Sequence, residues 1–550
     1  MMRSATEILT GKVPPPRPPR QPRVESPPLP CAGCPRLSPA VSRSVQRPRE
    51  VAPLAVPAPA SDAVPLHPPE PPREATPADV RAAAEGEAAC IVPCHNYGRY
   101  LRQCLDSLLA QTLPFSHILV VDDASDDDTA IVAAEFAERG VRYLRGEWHD
   151  FTLARRAGVE ALPRPRFLLF VDADNWLDPR FHEHCRAVMG EPRVGAAYAT
   201  IRRVDATGNF LRDDAREFDY HELRRGNYAD ACALIRFETY EQTGGWRPAA
   251  FLTDWRLWLD ATRAGWLMRL VPQAILHYRE HGLNMSAFAD NRAAHVGVMR
   301  AAMITTIITP FAGRAWQLAR YSDAIRRLEW DHANLRIVAV DNSGSEPFYE
   351  QLRDALASTG VAFTILRDEG TALPELTAEG FADHAPARTA HPRALSVHLA
   401  RLYSLARASI PAGTDFVWCL EDDIEPPAEA LEQLCAGLWM HPDAGVVSGA
   451  VRSRFEDVLL AWASFDPPVP VVALPGGYVP IAGSGFMCTL FRRQVWDQIA
   501  FRPAPNWDER HPYYDWAASM EVRRLGWTWL FSGDTRCRHW QADGTAIEAG

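Results

Sequence analysis

The sequence predicts an α/β protein of two tandem domains, each with a mostly parallel sheet, behind a Pro-rich N-terminal tail. Three observations carry this. An apolar run ending in carboxylates occurs twice, as Phe167-Leu-Leu-Phe-Val-Asp172-Ala-Asp174 and Phe416-Val-Trp-Cys-Leu-Glu421-Asp422-Asp423. Each is followed by a second signal, Asp254-Trp255 with Gly265-Trp266 and Asp515-Trp516 with Gly526-Trp527, and the Asp-to-Gly spacing is 11 residues both times. Apolar strand patterns alternate with helical ones before each acidic run, the signature of βαβ units. Internal repetition at matched spacing means repeated structure, and 550 residues exceed one ordinary core.

Residues 1–85 form the tail. Of the 46 prolines, 21 lie before residue 83; proline fixes φ and lacks the amide donor, so helix and sheet are both excluded. The tail is expected to be disordered and could dock a partner. Its Cys31-Ala-Gly-Cys34 has no second cysteine pair to complete a zinc site and reads as two solvent-facing thiols. Most of the other cysteines sit in apolar segments and read as small buried hydrophobes of a reducing compartment.

The first domain, 86–286, opens with a buried strand at Ala88–Pro93. Leu101, Cys104, Leu105, Leu108 and Leu109 follow at helical spacing. A strand at His117–Val121 ends in Asp122-Asp123. A helix over Thr129–Arg139, a strand at Val141–Leu144, a helix over Thr152–Leu162 and a strand at Arg166–Val171 complete the run. Residues 287–301 read as a helical connector.

The second domain, 302–550, repeats the order. Strands are expected at Ala302–Thr309, Leu335–Val340, Ala362–Leu366 and Phe416–Leu420. Helices are expected at Ala315–Leu328, Phe348–Ala357 and Leu395–Ala408. About 30 extra residues separate its two acidic clusters.

A net charge of −11 with scattered Lys and Arg argues against a general nucleic-acid surface. No apolar run approaches the roughly 20 residues of a membrane helix, and no apolar stretch after Arg3 makes a signal peptide. A cytoplasmic protein is expected, with peripheral contact at the inner face of a membrane left open.

Asp122, Asp123, Asp172, Asp174, Asp341, Glu421, Asp422 and Asp423 all fall at strand ends, where open α/β sheets take ligands. Grouped carboxylates repel unless a cation or ligand donors offset them. Hard cations such as Mn2+ or Mg2+ suit oxygen ligands and keep positions open for phosphate. Acidic caps on the following helices are the alternative for a single cluster and a weak one for four.

Cys90-Ile-Val-Pro-Cys-His-Asn-Tyr97, Val120-Val-Asp-Asp-Ala-Ser-Asp126, Phe170-Val-Asp-Ala-Asp174 and Tyr278-Arg-Glu-His-Gly-Leu-Asn-Met-Ser286, in this order, resemble family-2 glycosyltransferases of the GT-A fold. The resemblance covers residues 88 to 286. It implies a metal-dependent, inverting transfer from a nucleotide-diphosphate sugar, by family habit a UDP-sugar. Asp122 and Asp123 would bind the nucleobase and ribose. Asp172-Ala-Asp174 would be the DxD motif, with Asp172 on the nucleotide side and Asp174 the metal ligand. Asp254 would be the catalytic base, although Thr253 replaces the usual preceding Glu and leaves its orientation in doubt. His277 and His281 lie where the family places a residue against diphosphate or metal, with a structural role equally open.

The second copy resembles the fold more loosely. Asp341 and Asp422 would bind nucleotide, Asp423 and His539 the metal, and Asp515 would be the base. Gly483-Ser-Gly-Phe486 would be an acceptor-side loop. One or both copies could be active. Trp176, Trp246, Trp255, Trp258 and Trp507 could stack on sugars, although packing is the commoner role.

A nucleotidyl-transferring enzyme is disfavoured, since Pro93-Cys-His-Asn-Tyr97 is not a Gly-rich, basic phosphate loop. A non-catalytic nucleotide-sugar or glycan-binding protein remains the alternative from another class. The acceptor, whether glycan, lipid-linked, protein or modified nucleic acid, is not legible.

Overall fold

The computed structural model describes residues 88–247, 252–282, 291–368, 392–453, 458–465, 468–501 and 514–549. The tail, Cys31, Cys34 and Trp507 lie outside them. The described residues all fall within one compact unit.

The first half contributes β1 (Ala88–Cys94), β2 (His117–Asp123), β3 (Val141–Gly146), β4 (Phe167–Phe170), β5 (Trp176–Leu177), β6 (Val194–Val204), β7 (Phe210–Asp214), β8 (Ala233–Arg236) and β9 (Leu267–Arg279). They form one sheet in the order β3-β2-β1-β4-β8-β6-β9-β5, with β7 on β6. The second half contributes β10 (Ile304–Phe311), β11 (Leu335–Asp341), β12 (Ala362–Arg367), β13 (Thr414–Leu420), β14 (Ile424–Glu425), β15 (Ala444–Ala450), β16 (Ala461–Phe465), β17 (Pro468–Pro470), β18 (Tyr478–Ile481), β19 (Gly483–Ser484), β20 (Cys488–Arg492), β21 (Thr528–Arg536), β22 (Arg538–Trp540) and β23 (Ala546–Glu548). Its main sheet runs β12-β11-β10-β13-β20-β15-β21-β18. Seven strands therefore follow the same spatial order in both sheets.

Each sheet is parallel from β3 to β4, or β12 to β13, and again at β6/β9 or β15/β21. β8 and β20 run antiparallel to both neighbours and make the sheets mixed. The expected strands all form within a few residues of their predicted ends. The helix expected over Thr129–Arg139 divides into an α-helix, Thr129–Glu135, and a 3-10 turn, Ala137–Arg139, closed by Gly140 at φ 89°. That left-handed cap is a natural glycine stop.

Side chains alternate across the strands. Ala88, Cys90 and Val92 pack under one face with Leu101, Cys104, Leu105 and Leu108. Ala89 and Ile91 face the other side, in a hydrophobic core continuous with that of the second half through Val296, Val298 and Met299. Those three lie on the helix Asn291–Ala302, where the connector was expected. On the same helix, the His295 ring stacks on Trp439 of the second half at 4.2 Å and meets Trp255 of the first at 5.3 Å. A buried ionic knot reinforces the junction: Asp415 receives Arg224 at 2.5 Å and Arg263 at 3.1 Å.

The nine described cysteines are buried and unpaired, as expected of small hydrophobes. Trp246, Trp255 and Trp258 are completely buried, and the Trp255 and Trp258 indoles donate to the carbonyls of Leu223 and Ala229. These three are core packing and do not face a sugar. Among the described residues no helix is long and apolar enough to cross a membrane.

Candidate functional site

The acidic ends of β2 and β4 meet the loop that follows β1. Asn96 sits at φ 59° and its amide donates to Ser125 Oγ at 2.9 Å. Gly98 comes so close to the next loop that a Cβ would stand 2.2 Å from Asp128 Oδ1. The Gly98 amide instead donates to Asp127 Oδ2 at 2.9 Å.

Asp122 is wholly buried at the end of β2. It accepts from the Ser125 amide at 2.9 Å, from Arg145 Nη1 at 2.8 Å and from the Tyr143 hydroxyl. Burial pushes its carboxyl up, but the hydrogen bonds from Ser125 and Tyr143, aided by Arg145, prevail and hold it below its usual value.

Asp123 does something else. Its carboxylate accepts from the amides of Trp148, His149 and Asp150 at 2.7, 2.8 and 3.0 Å. It shapes the turn into the helix Phe151–Glu160, which Asp150 then caps. The structure thus gives Asp123 a loop-organising task.

Asp172 Oδ1 receives Arg155 Nη2 at 2.6 Å. Asp174 Oδ2 receives His281 Nε2 at 2.9 Å, and the His281 ring stacks on Tyr100 at 5.3 Å. Burial, then the charge of Asp172, pushes the Asp174 carboxyl up to about 6, against the opposing pull of His281. Arg279 braces the turn from behind: it donates to the Asp174 carbonyl at 3.1 Å and to Gln103 Oε1 at 2.6 Å.

His277 is the correction here. It pairs with Trp176 across β5 and β9, stacks on that indole at 4.7 Å and donates to Asp178 at 2.8 Å. Four steps of extended chain from His277 to His281 span about 13 Å; the later histidine bonds Asp174 and the earlier one bonds Asp178. In the second half His539 pairs with Ile424, the residue directly after Asp423, and its Nε2 lies 3.8 Å from Asp423 Oδ2.

Asp254 opens the helix Thr253–Arg263. Its Oδ1 accepts from the Trp255 amide and its Oδ2 from Asn227 Nδ2, both at 2.8 Å. Asn227 therefore fixes the carboxylate that Thr253 cannot, since the Thr253 hydroxyl is buried without a hydrogen bond among the described residues. Burial raises the Asp254 carboxyl despite the donors from Trp255 and Asn227 and the charge of Arg155, with Asp172 adding to the rise. Asp230 completes the group. Burial, then the charge of Asp172, pushes its carboxyl up to about 7, and Asp254 adds to the rise. Asp230, Asn227 and Arg155 carried no sequence signal, because each lies in a segment with no motif of its own.

Asp515 likewise opens a helix, Tyr514–Arg524, and accepts from the Trp516 amide at 2.9 Å. A Cβ on Gly485 would stand 3.6 Å from Asp515 Oδ2, so the Gly483–Phe486 loop does border this carboxylate. Asp341 is buried at the end of β11 and accepts from the Ser343 amide at 2.9 Å; its Oδ2 has no hydrogen-bond partner among the described residues. Asp422 and Asp423 share the guanidinium of Arg314. Asp422, expected to face a nucleotide, is thus engaged within the protein.

In the first half, Asp172 and Asp174 offer carboxylate oxygens of the kind a divalent cation takes; Asp174 is buried, and Asp172, half-buried, already pairs with Arg155. Among the described residues no three His, Cys, Asp or Glu side chains are grouped as ligands. Mg2+-type sites use one or two carboxylates and complete the shell with phosphate or water. In the second half the residues do not fit, because a guanidinium already bridges the two carboxylates.

Fold and site define an α/β protein whose acidic groups gather at the carboxyl ends of parallel strands. Residues 89–246 match the profile of Glycosyl transferase family 2. Glycosyltransferase GlyA of Streptococcus pneumoniae serotype 4 is 36% identical over 170 residues, which cover 30% of this chain and 23% of GlyA. EpsH of Bacillus subtilis (strain 168), provisionally named a glycosyltransferase, is 32% identical over 143 residues, 26% of this chain and 41% of EpsH. The chain thus spans less than half the length of these relatives. The structure of S. aureus TarS 1-349 in complex with UDP-GlcNAc aligns over 58% of this chain and 87% of that one, at 16% identity and a TM-score of 0.34.

Proposed function

We propose that the protein is an inverting glycosyltransferase that moves a sugar from a nucleotide-diphosphate sugar, a UDP-sugar first among them, to an acceptor hydroxyl. The observation that carries the reading is the fixed Asp254 carboxylate, held by Asn227 in electrostatic reach of Asp172.

Asp122 offers a buried carboxylate to the N–H or hydroxyl groups of a nucleoside. Asp172 and Asp174 would hold Mn2+ or Mg2+, with His281 orienting Asp174. When bound, that cation would offset charge on the departing diphosphate. Asp254 takes the acceptor proton as the sugar–phosphate bond breaks, and its raised pKa makes it a stronger base once ionised. Attack on the face opposite the leaving group inverts the anomeric centre.

The second half carries a parallel set in Asp341 and Asp515. Its unpaired Asp341 oxygen supports the reading that this half also takes a ligand. The acceptor class follows from none of these groups.

The test is release of UDP from a panel of UDP-sugars with Mn2+, using the full chain and Asp254→Asn and Asp515→Asn separately. Asp254→Asn should lower turnover by about 10²- to 10⁴-fold while UDP binding persists. Turnover unchanged in both variants would leave the enzyme reading without support, and a non-catalytic nucleotide-sugar-binding protein would replace it.

A further inference from the structure

The strand registers equate the two halves residue by residue. Ala88 and Ile91 pair with Phe167 and Phe170, and Thr305 and Ile308 pair with Phe416 and Cys419. Setting these pairs on one another places Arg314 at the position of Tyr97, Asp422 at that of Ala173 and Asp423 at that of Asp174. Tyr97 and Arg314 are each the residue just before the helix that follows the first strand of their half. Both face the acidic turn. In the first half the position holds a neutral phenol, and in the second a guanidinium.

Arg314 Nη1 donates to Asp423 Oδ2 at 2.6 Å. Its Nε donates to Asp422 Oδ2 at 3.2 Å, and its Nη2 reaches Asp422 Oδ1 as well. Both carboxylates are fully buried and the guanidinium nearly so. Asp422 is the matching change, a carboxylate where the first half has alanine.

We infer that the second acidic cluster takes no divalent cation, because Arg314 stands as a built-in cation joining Asp422 and Asp423. The inference rests on the proposed two-site reading. A guanidinium cannot lose its proton at any working pH, so it cannot give way by neutralising. A second cation beside it would meet a fixed like charge with little water to screen it. His539 approaches the same Asp423 oxygen from the other side, and its Nδ1 bonds the Arg452 carbonyl at 2.9 Å. Asp341 stands at the strand-end position of Asp122 in this half, buried like it. The two halves therefore differ in chemistry: in the first, Arg155 pairs with Asp172 and His281 with Asp174, whereas in the second one guanidinium joins both carboxylates.

Mn2+ binding to the full chain, followed by electron paramagnetic resonance, tests this. The wild type should bind one Mn2+ per chain, and Asp172→Asn/Asp174→Asn should bind none. Adding Arg314→Tyr to that double variant should create one new Mn2+ site. Mn2+ binding by the double variant that Asp423→Asn removes would overturn the inference. So would a folded triple variant that binds no Mn2+. Should the triple variant fail to fold by circular dichroism, the double variant's isotherm decides alone. UDP binding by calorimetry in EDTA, on the same double variant, addresses the other question. Its absence counts against the second half as a nucleotide site, whereas the Mn2+ counts judge Arg314.

Discussion

Asn227 Nδ2 donates to Asp254 Oδ2 at 2.8 Å and sets the orientation of a carboxylate whose neighbour in sequence, Thr253, cannot. Asn227→Ala should lower kcat roughly thirtyfold, the equivalent of about 2 kcal/mol for a hydrogen bond to a charged group. The bond also lowers the Asp254 pKa. The base works only when ionised, so its loss should move the acid limb of kcat to higher pH. A pH–rate series on both proteins reads both effects, and a merely structural Asn227 would leave the limb in place.

Asp230 stores a pH-dependent instability. Its carboxyl titrates at about 7 in the folded chain, above its unfolded value. The neutral form is therefore favoured by folding. Its stabilising share is full below the unfolded pKa and disappears as pH rises through 7. Asp230→Asn should raise stability at pH 8, on the order of 2–4 kcal/mol, and leave it nearly unchanged at pH 4. Urea denaturation at the two pH values measures the difference.

The opposite sign holds at Asp122, whose carboxyl is held low by Ser125 and Tyr143 against the push of burial. Stability from these bonds is present above the unfolded pKa and lost as pH falls through the folded one. Tyr143→Phe should cost about 1.5 kcal/mol at pH 7 and progressively less below pH 4. The same denaturation series, extended into acid, checks it.

Asp415 ties the halves through Arg224 and Arg263 with both partners largely buried. Asp415→Ala removes the carboxylate shared by two arginines and should destabilise the chain by about 3–5 kcal/mol. Limited proteolysis should then cut near residues 283–303, a result that a purely local loss of stability would not give.

The sequence alone determined the order of elements as far as the second acidic cluster of each half, because apolar alternation and helical spacing are local properties of the chain. It also determined which carboxylates end strands. Asp254 and Asp515 were legible as helix-opening acids from the shared spacing to Gly265 and Gly526. Tertiary structure decided which groups meet. Asn227 and Asp230 from one loop, and Arg155 from the helix Phe151–Glu160, come to Asp172 and Asp254, and no local pattern marks such a convergence. His281 displaced His277 because distance along an extended strand, not spacing in the text, sets what a ring can reach. Asp123 turned to three backbone amides, and Asp422 and Asp423 took Arg314 as partner, because a buried carboxylate binds whichever donors the fold brings within reach. Periodicity fixes where charge is displayed, and only packing fixes what compensates it.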